Sequence, residues 1–158
     1  MAFNMDGEIE LPAKREVVWK MLNDPAVLQA CIPGCEELSE IEGGFTAKAK
    51  MKVGPVSARF VGHVKLSDLD PPNGYRISGE GEGGIAGFAK GGATVQLRDC
   101  GAGTLLTYKV DAQIGGKLAQ LGQRLIGGTA KKLADQFFVS LGERIKNSGF
   151  SERSISAR

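Results

Sequence analysis

The chain has 158 residues, 42% of them hydrophobic and 24% charged, which suits one folded domain around one core. A formal net charge of +2, with no basic cluster interleaved with aromatics, argues against a nucleic-acid partner. The opening MAFNMDGEIE carries acids where a secretion signal needs a basic and then an apolar run, no stretch reaches the roughly 18 apolar residues of a membrane span, and the 3 cysteines make an odd count that argues against a disulfide framework. The expectation is a cytoplasmic protein with reduced thiols.

Phe3, Met5, Ile9 and Leu11 alternate with polar residues and predict a half-buried strand that Pro12 stops. Lys14 to Leu22 predicts a short helix burying Val18, Met21 and Leu22. Asn23-Asp24-Pro25 opens a second one, with Asp24 as N-cap and Pro25 in the first turn. Pro33 and Gly34 end it.

From Glu37 to Gln113 the pattern has period two. It predicts six strands, at 35–41, 44–53, 56–69, 74–82, 86–98 and 103–114. The separators are turn residues, and the gaps are short enough to make the strands consecutive antiparallel hairpins. In the strand over 56–69, Ala58, Phe60, Gly62, Val64 and Leu66 share one face, opposite Ser57, Arg59, His63 and Lys65. In the strand over 103–114 the inner face holds Leu106, Tyr108, Val110, Ala112 and Ile114.

Leu118, Leu121, Leu125 and Leu133 then recur at the spacing of one helix face, predicting a long helix from Lys117 to Lys146. The last residues have no period, so 148–158 is expected to be a disordered tail behind a single domain over 1–147.

Glycine is the anomaly: 23 residues, about twice the usual ~7%. Gly122, Gly127 and Gly128 fall inside the helical pattern, where each costs roughly 1 kcal/mol against Ala. Gly79, Gly81, Gly87, Gly91 and Gly92 fall in or beside strands. Close packing of helix on sheet explains them in part. Missing side chains also leave a hollow, because a filled core would need larger residues at these positions.

Other motifs exclude chemistry more than they supply it. GEGEGG at 79–84 matches a dinucleotide fingerprint in letters, but more strand follows where that motif needs a helix. His63 is the only histidine and faces outward, so no catalytic triad and no two-histidine zinc site is available. Cys31 and Cys35 are separated by Pro33-Gly34, and Cys100 makes no convincing third metal ligand. Glu80 and Glu82 share the solvated face beside Arg76 and Lys90, which is the ordinary pattern for surface carboxylates. No catalytic residue, metal ligand or cofactor is expected.

The order is strand, two short helices, six strands, long helix. It predicts an α+β architecture in which a curved, seven-stranded antiparallel sheet grips the C-terminal helix. That order resembles the helix-grip fold of the START-like (SRPBCC) superfamily, to which the Bet v 1-like pollen allergens belong. Four segments resemble the G-subunit family of carbon monoxide dehydrogenase in particular: GEIELPAKREVVWKMLNDPAVLQACIPGCEEL, VGPVSARFVGHVKLSDLDPPNGYRISGEGEGG, AGFAKGGATVQL and GTLLTYKVDAQIGGKLAQLGQRLIGGTAKKLADQFF. Together they cover nearly the whole chain to Phe138. The resemblance implies an accessory protein beside a molybdenum-containing dehydrogenase of the molybdenum hydroxylase type. It also implies an apolar cavity for a quinone or lipid-like ligand. Some family members continue into a linker and a C-terminal membrane anchor. This sequence stops at Arg158, so the expectation is peripheral contact at the inner face of the cytoplasmic membrane.

The ligand site is therefore expected between sheet and helix. Phe60, Phe88, Tyr108 and Val110 are expected on the sheet side, Leu118, Leu121 and Leu125 on the helix side, and Leu28 and Ile32 at the mouth. Two other readings stay open. A small START-like enzyme, such as a cyclase or dehydratase, needs a polar group inside the cavity, for which Tyr108, with Gln136, is the inward candidate. An assembly factor would instead have a packed core.

Overall fold

The computed structural model describes residues 1–156, with side chains described through residue 148. The chain order is β1 (Ala2–Leu11), α1 (Arg15–Leu22), α2 (Pro25–Cys31), β2 (Cys35–Ile41), β3 (Gly44–Val53), β4 (Val56–Asp70), β5 (Gly74–Glu82), a single 3-10 turn (Gly84–Ala86), β6 (Phe88–Cys100), β7 (Gly103–Gly115), α3 (Lys117–Gln120) and α4 (Gly122–Ser156). The seven strands form one antiparallel sheet in the order β1-β7-β6-β5-β4-β3-β2. Each of β2 to β7 lies beside its neighbour in sequence because the turns between them are too short for any crossover. β1 is at one edge and β2 at the other, so α1 and α2 carry the chain across one end of the sheet.

The short helices form where local chemistry dictates. Pro25 occupies the first turn of α2, and the Asp24 carboxylate accepts the Ala26 amide at 2.9 Å, giving an orphan first-turn donor a partner. Val18, Leu22, Val27 and Cys31 face inward and are buried. Thr104, fully buried at the start of β7, donates its hydroxyl to the Ala13 carbonyl at 2.6 Å and fastens the β1–α1 connection to the sheet.

Two expectations are corrected. The helix expected over Lys117 to Lys146 is divided, because Gly122 takes φ +87, a left-handed conformation that ends α3 and starts α4 in a new direction. α4 then continues past Lys146 to Ser156. The strand expected at 86–98 begins at Phe88, since Gly84 and Gly87 have positive φ and bend the chain through the 3-10 turn first. The tail expected over 148–158 falls almost wholly outside the described side chains.

α4 packs across the concave face, and the core there is in two parts. One part joins α1, α2 and the later turns of α4, with Leu141 and Ile145 fully buried against Leu97 and Leu106. Burial of each such side chain contributes about 1.5–3 kcal/mol. The other part joins Phe3, Val53, Ile114, Leu118 and Ile126 at the opposite end. Among the described residues, no helix is long and apolar enough to cross a membrane.

Candidate functional site: an apolar hollow under the C-terminal helix

Between the two packed ends the sheet and α4 stand apart. A cavity of about 380 Å³ lies toward α2, bounded by Leu28, Ile32, Tyr75, Tyr108, Phe137 and Phe138 among others. A second, of about 360 Å³, lies toward α3, bounded by Phe60, Ala89, Ile114, Leu118, Ile126 and Leu133 among others. Ile32, Ala47 and Gly62 belong to both walls, so the two adjoin. No charged residue lines either one.

The hollow follows from register. Ala47, Gly62, Gly81 and Ala89 are successive cross-strand partners from β3 to β6. One row along, Gly79 pairs with Gly91 and Gly91 with Ala112. Between β4 and β6 these two adjacent rows of the concave face carry only Val64 and Ala89 besides glycine, so little side chain fills the space beneath them. The glycines are not equivalent. A Cβ on Gly79 or Gly91 would collide with backbone of the next strand, so there the sheet itself demands glycine. A Cβ on Gly81 would meet nothing nearer than the Val61 carbonyl oxygen at 4.0 Å, so Gly81 opens onto empty space. Gly92 faces the other way. Its bare Cα makes room for the Arg76 side chain, which reaches Asp111 at 3.1 Å and Thr94 Oγ1 at 3.1 Å on the convex face.

Two tyrosines line the first cavity. Tyr75 is buried, packs edge-to-face on Trp19 at 5.1 Å, and its phenol is pushed up to about 12 by burial. Tyr108 stacks on Phe138 at 5.5 Å. Its phenol is raised by burial first and by the Asp135 carboxylate second, with Lys131 acting in the opposite sense. Asp135 is itself paired with Lys131 at 3.0 Å on α4. Tyr108 is thus a neutral donor on the apolar wall at neutral pH, with an ion pair of α4 close by.

Of the residues expected to line the site, Leu28, Ile32, Tyr108 and Val110 stand around the first cavity, and Ile32, Phe60 and Leu118 around the second. Phe88, Leu121 and Leu125 line neither. Phe88 follows the outward phase of β6, 43% exposed, with its ring over Gly115. Leu121 packs with the second core cluster, and Leu125, redirected by Gly122, lies over Gly54 in the β3–β4 turn. Gln136 is exposed and drops out as an inward group. Tyr75, Phe137 and Phe138 line the cavity without having been expected there. The period-two run Tyr75, Ile77, Gly79, Gly81 carries the signal for the first, and the helical spacing from Leu133 and Ala134 carries it for the other two.

The model of one protein family, that of the carbon monoxide dehydrogenase G-subunit (CoxG), matches residues 7–146. The chain belongs to that family. A conserved protein from Geobacillus kaustophilus, of known structure, is 36% identical to this CoxG-family chain; the match covers 92% of this chain and 97% of that one, with a TM-score of 0.87. A START superfamily protein from Mycobacterium smegmatis shares 12% identity over 91% of this chain and 97% of its own, with a TM-score of 0.69. The Zhui aromatase/cyclase from Streptomyces sp. R1128 shares 13% over 90% and 93%, with a TM-score of 0.65. The last two establish a common fold and nothing more. Nothing among curated proteins matches the chain.

The outward His63 pairs with Glu80 at 3.4 Å on the convex face, away from both cavities. GEGEGG runs from β5 into the 3-10 turn and then β6, so no α-helix N-terminus stands at its end. Cys31 is buried and Cys35 half-buried, and burial raises both thiols, which makes them poor nucleophiles. No cluster of three or more His, Cys, Asp or Glu side chains able to hold a metal ion occurs among the described residues.

Proposed function

We propose that this chain is a non-enzymatic carrier or accessory protein that shelters an apolar molecule, quinone or lipid-like, on behalf of a molybdenum-containing dehydrogenase. One observation carries the reading: two adjoining cavities of about 380 and 360 Å³ with no charged residue in their walls. Each is within the usual size of a small-molecule site, roughly 300–1,000 Å³. Burying a ligand there removes apolar area from water at about 25 cal/mol per Å². The Tyr108 hydroxyl, on the same wall as that of Tyr75, supplies a donor to fix the ligand's direction, for which a ketone or quinone carbonyl is the natural acceptor. Membership of the CoxG family supports the dehydrogenase as partner, and a site at the inner face of the cytoplasmic membrane suits a ligand that lives in lipid.

The reading is tested by titrating the purified chain with a short-chain menaquinone analogue and with the apolar fluorescent probe N-phenylnaphthylamine. Mass spectrometry of protein isolated from its own host would accompany the titration. Saturable binding with competition between the two ligands is expected. No binding of either would overturn the carrier reading and leave the assembly factor.

A further inference from the structure

We infer that the outer edge of β1 is a docking site for an extended basic segment of another protein, which adds antiparallel to the sheet as a further strand. β1 is an edge strand, with only β7 beside it among the described residues. Register shows which of its backbone groups are open. The Met1 nitrogen donates to the Ile114 carbonyl at 2.8 Å, and the Ile114 amide donates back to the Met1 carbonyl at 2.8 Å. Bonded and unbonded pairs alternate in an antiparallel ladder, and the pairing of β1 with β7 runs without a shift from Ala2 to Leu11. The odd-numbered residues therefore bond to β7. The N–H and C=O groups of Ala2, Asn4, Asp6, Glu8 and Glu10 point away from the sheet. The Gln123 side chain donates to the Ala2 carbonyl at 2.6 Å and covers the first of these. Asn4, Asp6, Glu8 and Glu10 follow as an open row of donors and acceptors.

The two edges of the sheet differ. β2 has 7 residues, a register shift between Cys35 and Glu37, and the Gln29 side chain on its Glu36 carbonyl at 3.2 Å. Short length, bulges and covering groups keep stray strands off an edge. β1 has 10 residues in unbroken register and contains neither proline nor lysine. What it carries is negative charge, and that charge selects the occupant. Asp6, Glu8 and Glu10 are exposed on the convex face. Lys109 of β7 stands opposite Asp6, but none of the three acids is in an ion pair among the described residues. On the concave face Met5, Gly7 and Ile9 are half-buried.

A matching strand has Lys or Arg at alternate positions, beside the acids, and apolar residues between them, beside Met5, Gly7 and Ile9. A second copy of this chain does not match. β1 against β1 sets the same acids against one another, and β1 against β2 sets them near Glu36, Glu37 and Glu40. Like charges across a strand pair oppose pairing. The occupant is therefore a different chain of opposite charge. Its main-chain bonds supply affinity and its alternating side chains supply specificity. None of this rests on the carrier reading.

The test is amide hydrogen exchange of the full chain, read by nuclear magnetic resonance, with the end-capped peptide Lys-Val-Lys-Val-Lys-Val as probe. The probe should slow exchange at Asn4, Asp6, Glu8 and Glu10 and leave the amides of β2 unchanged. The block peptide Lys-Lys-Lys-Val-Val-Val has the same charge without the alternation and should bind about ten-fold more weakly. In an antiparallel complex the lysine amides of the probe face β1 and the valine amides face away. Methylating the lysine amides should therefore abolish protection, and methylating the valine amides should not. Asp6→Lys combined with Glu8→Lys should weaken the probe by about ten-fold and gain binding of Glu-Val-Glu-Val-Glu-Val. Glu8→Pro removes one outward donor without touching the ladder to β7, so it should melt near the wild type and lose the probe. Glu40→Lys, on the other edge, should bind the probe as the wild type does. No protection of the four amides, equal binding of alternating and block peptides, or equal effects of the two methylations would each overturn the inference. So would protection that appears without peptide as protein concentration rises, because a second copy would then occupy the edge.

Discussion

Gly7 lies directly opposite Tyr108 across the β1–β7 pair, and a Cβ on Gly7 would stand 2.5 Å from the Tyr108 hydroxyl oxygen. The tyrosine ring leans over bare backbone on the concave face, and its other neighbour is the stacked ring of Phe138 on α4. The glycine on the edge strand therefore sets the position of one of the donors on the wall that the proposed ligand would meet. Its absence of side chain matters as much to the wall of the hollow as the aromatic groups that form it.

It follows that Gly7→Val should push the Tyr108 ring off β1 and loosen its stack on Phe138. A loss of about 1–3 kcal/mol is expected, the usual range for overpacking. A melting curve reads the cost, and the near-ultraviolet circular dichroism of the tyrosines reads the displacement. Tyr108→Phe keeps the stack and should melt near the wild type, so a large loss in that variant would contradict the account.

The two tyrosines also give the fold an alkaline limit. Burial pushes Tyr75 up to about 12 from an ordinary 10.0, and Tyr108 is raised as well. In each case the folded state holds the proton more tightly than the unfolded chain does. The stability contributed is complete below the ordinary value and is lost as pH rises from there through the folded value. For Tyr75 that loss is on the order of 2 kcal/mol between pH 10.0 and about 12. Stability measured by denaturant at stepped pH should fall more steeply in the wild type than in Tyr75→Phe over that window. Parallel curves would show that the phenol is not held from water.

The period-two pattern discloses the strands because one face of an antiparallel sheet is buried and the other wet. The same pattern assigns Tyr108 and Val110 to the hollow. Phe88 is misplaced when its size is weighed above its phase: Ala89, Gly91, Ala93, Val95 and Leu97 hold the inner positions of β6, so Phe88 points out. Leu121 and Leu125 are misplaced for a different reason. Their spacing assumes an unbroken helix, and a single positive φ at Gly122 is a backbone choice that hydrophobic periodicity does not report. The hollow itself depends on cross-strand register, since Gly62, Gly81 and Ala89 are distant in sequence and adjacent only once the strands pair.

The helical glycines should respond to substitution with opposite signs. Gly122 is left-handed, and an alanine there costs roughly 1–2 kcal/mol. Gly128 is exposed within α4, and a Cβ would meet nothing within 4 Å. Gly128→Ala should therefore stabilise the chain by about 0.5–1 kcal/mol through helix propensity alone. Thermal denaturation of the two alanine variants beside the wild type decides it, and a shift of the same sign in both would contradict the divided helix.

Gly81 offers the cleanest separation of packing from binding. A side chain there enters the second cavity without striking backbone, since the nearest atom to a Cβ is the Val61 carbonyl oxygen at 4.0 Å. Gly81→Leu should fill that space with apolar atoms and leave the strand pairing intact. The folded protein gains buried apolar area and the residue is freed of glycine's entropy cost in a strand, so the melting temperature should hold or rise. The ligand loses its room. Binding of N-phenylnaphthylamine and of the menaquinone analogue should then fall at least ten-fold, or about 1.4 kcal/mol. Gly91→Ala is the contrast, because a Cβ there strikes the Asp111 carbonyl and the variant should lose stability along with binding. A Gly81→Leu protein that melts normally and binds both ligands as before would show that the glycines of the concave face serve only the curvature of the sheet.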